Sequence, residues 1–447
     1  MGKVRLLRFA PWLAALACLA FIASAFYPGY MSSDTTDQLN QARTAVYGAW
    51  HPPVMAWWWR QVDHVVPGPL GMLLFHCGMF FTGLTLVLTT CQRPLVATLG
   101  VLGVGLFPSV AGLLSTVWKD VGMASALLLG FALVLRYGRR PRWPVLAMAA
   151  LALLYAIAVR KNGAAAAVPI AVWAGVLVHR HRAPAARGWL GGAVGAVAGV
   201  ALFVLANAAN TLLVKADSYQ SQQLALHDLA AISLARNEVV FPEWVKKKDP
   251  RVDVEVLRAL YTPNTVCPLL WGDGPRVPMT GDEAEYKQLM SYWLTTIRGN
   301  LGPYLKHRLR VSANILGLDG PVYAFESGIY TNPYGYKVAD TGLNRFVMAI
   351  LRKLDNTVVF KAWAYVALTL VAFGLSFLPR LERRSAVVAL FASSVCFFGP
   401  YLIIGPANDF RLVWWSVLAA LVLPFLVFSK AEAPAAAAQP EPAPSNR

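Results

Sequence analysis

Ten apolar runs punctuate the chain, over residues 7–27, 69–90, 95–115, 121–136, 143–160, 164–179, 189–214, 357–378, 386–405 and 412–429. A helix that crosses a bilayer needs about 20 mostly apolar residues. The pattern therefore predicts an all-α polytopic membrane protein with about ten transmembrane helices, the shorter runs being the weakest spans. Between the seventh and eighth runs lies a long polar region, residues 215–356. Its helical periodicity at 218–236, 282–298 and 303–316 is separated by Pro/Gly-rich connectors. That pattern predicts a mainly helical extracytoplasmic domain, large enough for a small core of its own. The chain then divides into an N-terminal transmembrane module (1–214, with its first outer loop at 28–68), the outer domain (215–356), C-terminal transmembrane helices (357–430) and a tail (431–447).

The first outer loop carries "SSDTTDQLNQARTAVYGAWHPP", residues 32–53. Thr35 followed by Gln38 fits a capping box, and an acid suits a helix N-terminus. Leu39, Ala42, Val46 and Tyr47 form an apolar stripe, with Gly48 as a stop. A short helix at the membrane surface is expected, then a second from "PPVMAWWWRQV" with its tryptophans at headgroup level. Capping accounts for one acid. It does not account for Asp34 and Asp37 together with Gln38, Asn40, Gln41 and His51, so this loop is the first candidate site.

Composition agrees with the run pattern. Of 447 residues, 57% are hydrophobic and 14% charged, and the mean hydropathy is +0.49. The net charge of +17 would suggest nucleic acid in a soluble chain. Here the basic residues sort by membrane side instead, and no nucleic-acid partner is expected. With the N-terminus inside, Arg93, "RYGRRPR" (136–142), "HRHRAPAAR" (179–187) and "PRLERR" (379–384) all fall on the cytoplasmic side. Both termini are then cytoplasmic, and the Ala/Pro-rich tail 431–447 is expected to be disordered. The start of the chain, with Lys3, Arg5, Arg8 and "ASA" at 23–25, resembles a signal sequence. It is read as a retained first helix, and either reading places residue 30 onward outside. Five cysteines (Cys18, Cys77, Cys91, Cys267, Cys396) show no disulfide or zinc spacing. No cofactor is expected, and a divalent metal is left open. The Ala/Arg-rich composition and lack of organelle signals point to a bacterial plasma membrane.

Three further polar islands fall on the outer side: "TVWKD" (116–120), "RKNG" (160–163) and "NDFR" (408–411). Lys119, Arg160 and Lys161 run against the positive-inside bias. One reading is snorkelling to headgroups. The other is an anion site, with Lys119, Arg160, Lys161 and Arg411 binding a phosphate and Gln38, Asp120, Asn162 and Asp409 contacting substrate. Asp409 and Arg411 can equally be a simple ion pair. Tyr401, Trp414 and Trp415 read as interface anchors, and His227–Asp228 as a capping or surface pair. No nucleotide-binding signature is present. Outside the cytoplasm, a donor must be phosphorylated, membrane-borne and available there. A polyprenyl-phosphate-linked sugar meets all three conditions.

At this point the residues resemble a known family. A first span, an outer loop with Asp34, Gln38 and Ala42 on a short helix, and then His51-Pro52 leading to the next span are similar to the C-type integral-membrane glycosyltransferases. These include the protein mannosyltransferases and aminoarabinose–lipid A transferases. The segment 292–309 is similar to one in bacterial relatives through Trp293, Pro303, Tyr304 and Arg308. The resemblance implies transfer from a polyprenyl-phosphate sugar at the outer face to an envelope glycan, lipid or protein, with inversion. Asp34 would be the base, with Asp37 a second catalytic acid. His51 would orient the loop or acceptor, and Lys119, Arg160 and Arg411 would hold the phosphate. The paired Asp-Glu of the mannosyltransferases is absent here, which leaves the acceptor open. Competing readings are a lipid-linked saccharide polymerase or ligase, and a flippase or transporter. A transporter would need ionisable groups in mid-span, where His76 is the main one.

Overall fold

A computed structural model describes residues 2–183, 188–215, 218–378 and 383–429. The expected disordered tail, and the 184–187 and 379–382 portions of two basic connections, lie outside these residues. The chain opens with α1 (Gly2–Ala25), α2 (Ser33–Thr44), α3 (Pro53–Asp63), α4 (Pro69–Cys91) and α5 (Pro94–Gly105). It continues with α6 (Pro108–Leu114), α7 (Lys119–Arg139), α8 (Trp143–Val159), α9 (Gly163–Arg182) and α10 (Gly188–Leu213). Four of these helices, α3 to α6, begin with proline. Its fixed φ suits the first helical turn, where its missing N–H goes unnoticed.

Among the described residues, seven helices are long and apolar enough to cross a membrane, or up to eight if one bent pair is a single span. They lie in α1, α4, α7, α9, α10, α19 (Arg384–Ile404) and the segment Phe410–Val427. Not all ten apolar runs are therefore spans of full length. The run 95–115 is broken: α5 and α6 meet at 62°. Pro108 holds the preceding Phe107 in extended backbone (φ −58°, ψ 133°), so the helix cannot run through. Helices α8 and Ala362–Leu375 have 17 and 14 residues, about 25 and 21 Å of rise against a hydrocarbon core of about 30 Å.

The polar region folds as α11 (Gln222–Arg236), α12 (Glu243–Lys248), α13 (Val254–Leu260), α14 (Cys267–Leu270), α15 (Glu283–Gly299) and α16 (Leu301–Leu316). Leu226, Phe241, Leu257, Leu269 and Leu289 form a separate apolar core here. Beyond α15 the chain packs instead onto the main core, through Val311, Ile315 and Phe325. The chain ends with α17 (Gly342–Leu354), α18 (Ala362–Leu375), α19 and α20 (Trp414–Val427).

The long helices share a polarity. Their basic ends gather: Tyr137 meets His181 (5.8 Å between rings), Arg182 covers Trp143 (4.6 Å), and Arg383 donates to the Thr90 carbonyl (2.9 Å). At the opposite end α7 begins, α8 and α19 finish, and α20 is entered. The loops there are stitched by single β-bridges, Tyr30 to Thr116, Met31 to Ile329, Thr265 to Ala407 and Tyr323 to Asp409. These short pairings bring segments far apart in sequence to one place. Seams between helices are close where side chains are small. A Cβ on Gly175 or Gly195 of the α9–α10 pair would collide with the facing backbone, as expected where helices associate by direct packing.

Candidate active site

The site lies where α2 meets the starts of α7 and α20. The expected capping box is not formed. Ser32 is the residue before the helix. Thr35 sits within the first turn, its hydroxyl donating to the Val117 carbonyl (3.2 Å). That partner lies on another element, so α2 is docked rather than self-capped. The helix ends at Ala45, in left-handed backbone (φ 55°), before Gly48 is reached. Leu39, Ala42 and Tyr47 are buried as the stripe predicts, while Val46 is exposed. In α3, Trp59 is not at a headgroup surface. It is fully buried, with its indole donating to the Gly68 carbonyl (3.1 Å).

Asp34, in the first turn of α2, faces Arg411, whose Nη1 donates to its Oδ2 at 3.0 Å. Arg411 Nε also donates to Asp409 Oδ2 (2.6 Å), and its guanidinium lies 4.7 Å above the Trp118 ring. The Trp118 indole in turn donates to Ser32 Oγ (2.9 Å). Arg411 is thus fixed by two carboxylates and an aromatic face. The Asp409–Arg411 pair considered from sequence does form, but it is shared with Asp34.

His51 sits on the other side of Asp34. Lys119 Nζ donates to His51 Nδ1 at 2.6 Å. An imidazole accepting at Nδ1 carries its proton on Nε2, which lies 3.8 Å from Asp34 Oδ1 and 4.0 Å from Asp37 Oδ2. Burial, and then the Lys119 charge, pull the His51 pKa well below its ordinary value, so the ring is neutral at pH 7. Burial also opposes ionisation of Asp34, but the charges of Arg411 and Lys119 outweigh it and hold that carboxyl below the usual range. Burial moves Asp37 the other way, against its hydrogen bond from Gln41 (2.7 Å). Gln38 lies one turn beyond Asp34 on the same face. It is buried, and its Nε2 makes no hydrogen bond among the described residues.

A third group closes the site. Arg160 pairs with the fully buried Asp120 (2.6 Å) and donates to Asn162 Oδ1 (3.0 Å) and to the Tyr401 hydroxyl (2.7 Å). Asn162 also donates to that hydroxyl (2.5 Å). The expected interface anchors are therefore reassigned. Tyr401 is a polar partner of this group, and Trp414 and Trp415 are fully buried, with the Trp415 indole donating to Ser393 (2.9 Å). Lys161 is exposed and no contact joins it to the cluster. Sequence reading missed Glu326, a buried carboxylate that accepts from Tyr323 (2.9 Å) and the Ser327 amide (3.0 Å). Burial raises its pKa against the pull of its hydrogen bonds and of nearby Arg411. Only a lone Glu in an aromatic loop marks it in the sequence.

The result is three preorganised cations among five carboxylates, one of them an ionised, part-exposed acid. Three carboxyls, Asp37, Asp409 and Glu326, are pushed by burial towards protonation. Such a site supplies a base and fixed donors for an anion. Among the described residues no group of three His, Cys, Asp or Glu is placed to hold a metal.

A second polar cluster lies between α11, α15 and α16. Asp228 is fully buried, not a surface partner of its neighbour His227. It accepts from the Trp293 indole (2.9 Å) and pairs with His307 (3.1 Å) and Arg308. Arg308 also donates to the Gly405 carbonyl (3.1 Å), three residues before Asn408. The cluster thus grips the loop that carries Asp409 and Arg411.

The buried histidines set a pH dependence. Burial lowers the pKa of His51, His307 and His227, the last to about 3 from an ordinary 6.5. Such a ring takes up a proton more readily when unfolded, so stability falls as pH drops below 6.5 and is intact above it. Asp34, whose pKa is also lowered, acts with the same sign, but its contribution is lost only below the ordinary carboxylate pKa of 3.8. Thermal unfolding in detergent is expected to show destabilisation at pH 5 on the order of 2 kcal/mol for each of His51 and His227. His51→Gln and His227→Gln should each flatten that slope, and an unchanged slope in both would contradict this origin.

The chain matches no protein-family model, no curated protein and no solved structure.

Proposed function

We propose that this protein is a membrane glycosyltransferase. It moves a sugar from a polyprenyl-phosphate donor to an envelope glycan, lipid or protein acceptor at the extracytoplasmic face of a bacterial plasma membrane. The observation that carries the reading is Asp34: an ionised carboxylate, a third exposed, held on Arg411 beside His51 and Lys119 at the ends of apolar helices. A hydrolytic or transport role does not require a base poised among fixed cations at that level.

In this mechanism the donor phosphate competes with Asp34 for Arg411. The exchange places the guanidinium on the phosphate and frees the carboxylate for the acceptor hydroxyl. The acceptor oxygen attacks the anomeric carbon as the bond from that carbon to the phosphate oxygen breaks. The hydroxyl proton passes to Asp34, and the polyprenyl phosphate leaves with the bonding electron pair, steadied by Arg411, Arg160 and Lys119. A single displacement inverts the anomeric centre. His51, its Nε2 3.8 Å from Asp34 and 4.0 Å from Asp37, orients the base or the acceptor, and the unpartnered Gln38 amide offers a donor to the sugar or acceptor. Lys161 has no part in it.

Mass spectrometry of lipids extracted from gently purified protein tests the reading. A co-purifying polyprenyl-phosphate monosaccharide is the expected result. A polyprenyl-pyrophosphate oligosaccharide would replace it with the polymerase, ligase or flippase reading.

A further inference from the structure

An apolar groove of about 720 Å³ opens between α9 and α19, away from the site. Val168, Val172, Trp173 and Val388 line it, and Arg180 and Arg384 stand at one end, with no acidic residue in its walls among the described residues. Val168 and Arg180 are twelve positions apart, about 18 Å along a helix. One leaflet of a bilayer's hydrocarbon core is about 15 Å deep. The groove therefore runs from the headgroup level to near mid-membrane. Its walls are set: Trp173 stacks on Phe131 (5.2 Å) and its indole donates to Ser385 (3.3 Å). Arg384 is pinned at the mouth by donating to the carbonyls of Ser376 (2.9 Å) and Leu378 (3.2 Å). Arg180 makes no hydrogen bond or ion pair within the described residues.

We propose that this groove is a binding site for one anionic glycerophospholipid of the leaflet at the basic end of the helices. An acyl chain fills the apolar channel, and the headgroup phosphate lies between Arg180 and Arg384. The charge pattern selects this occupant. Two guanidiniums, with no acid between them among the described residues, favour a net negative headgroup over a zwitterionic one, whose own ammonium would be repelled. The site is separate from the Asp34 cluster, which lies at the other end of α9 and α19, so the two proposals stand or fall separately.

Native mass spectrometry of the full-length, delipidated protein titrated with phosphatidylglycerol or phosphatidylcholine is the test. One phosphatidylglycerol should bind in preference to phosphatidylcholine, and the Arg180→Gln/Arg384→Gln double variant should lose roughly tenfold to thirtyfold of that affinity. Ala392→Trp, which fills the groove, should abolish the bound lipid with both arginines present. Because Arg384 also holds the end of α18, Arg180→Glu serves as a second variant, with at least a tenfold loss expected. Equal binding of the two lipids, or unchanged phosphatidylglycerol affinity in Arg180→Glu, would overturn the proposal.

Discussion

Asp34→Asn is expected to lower sugar transfer by about 10²–10⁴-fold, the range for loss of a general base, while the protein stays folded and keeps its lipid donor. The amide has the shape of the carboxylate and still offers an oxygen to Arg411, which retains Asp409 at 2.6 Å and the Trp118 face. Packing is therefore undisturbed, and what disappears is the ability to take a proton. The loss should fall on kcat, with KM for the donor unchanged or lower, because the donor phosphate no longer competes with a charged Asp34. Arg411→Gln should show the complementary pattern, a raised donor KM with a smaller fall in kcat. The measurement is transfer of radiolabelled sugar from a synthetic polyprenyl-phosphate donor by reconstituted protein. Full activity in Asp34→Asn would remove Asp34 from the mechanism. Loss of donor binding in the same variant would reassign it to holding the phosphate site together.

What the sequence made legible here is what one-dimensional pattern encodes. The apolar runs are helical because, without water, a chain must satisfy its own backbone hydrogen bonds. The break at Pro108 was marked by the proline itself, but its size depends on how α6 packs. Lys119 and Arg160 stood out because cations at those span ends run against the expected distribution, and Asp34 because capping accounts for only one acid of its loop. The same rule also selected Lys161, and it has no means to tell which of two adjacent residues faces inward. Readings that relied on local partners failed where the true partner is distant in sequence. The Thr35 hydroxyl belongs to Val117, and the Tyr401 hydroxyl to Arg160 and Asn162. Glu326 enters the site only because single bridges fold the 323–330 segment against residues 31 and 409. No periodicity records such pairings.

Asp228 shows the same point on α11, and its replacement carries the largest stability effect expected of any residue described here. Its side chain is fully buried and is the shared acceptor for the Trp293 indole, His307 and Arg308. Asp228→Ala leaves the Arg308 guanidinium, itself nearly inaccessible, without its counter-charge. Breaking a buried pair from one side costs about 3–5 kcal/mol, because the remaining charge has lost its water and gained nothing. Removing both sides with apolar groups of similar size costs much less. Asp228→Leu/Arg308→Met should therefore be more stable than Asp228→Ala, even though it carries more changes. Unfolding in detergent, followed by tryptophan fluorescence, reads this order directly; the reverse order would mean that the cluster is solvated. The double variant also separates stability from function. It loses the Arg308 hydrogen bond to the Gly405 carbonyl, so residues 405–411 lose their tie to α16. A protein that is well folded yet transfers sugar more slowly would make the α11–α16 region the brace of Asp409 and Arg411. Unimpaired transfer would make it a separate module whose buried charges serve only its own fold.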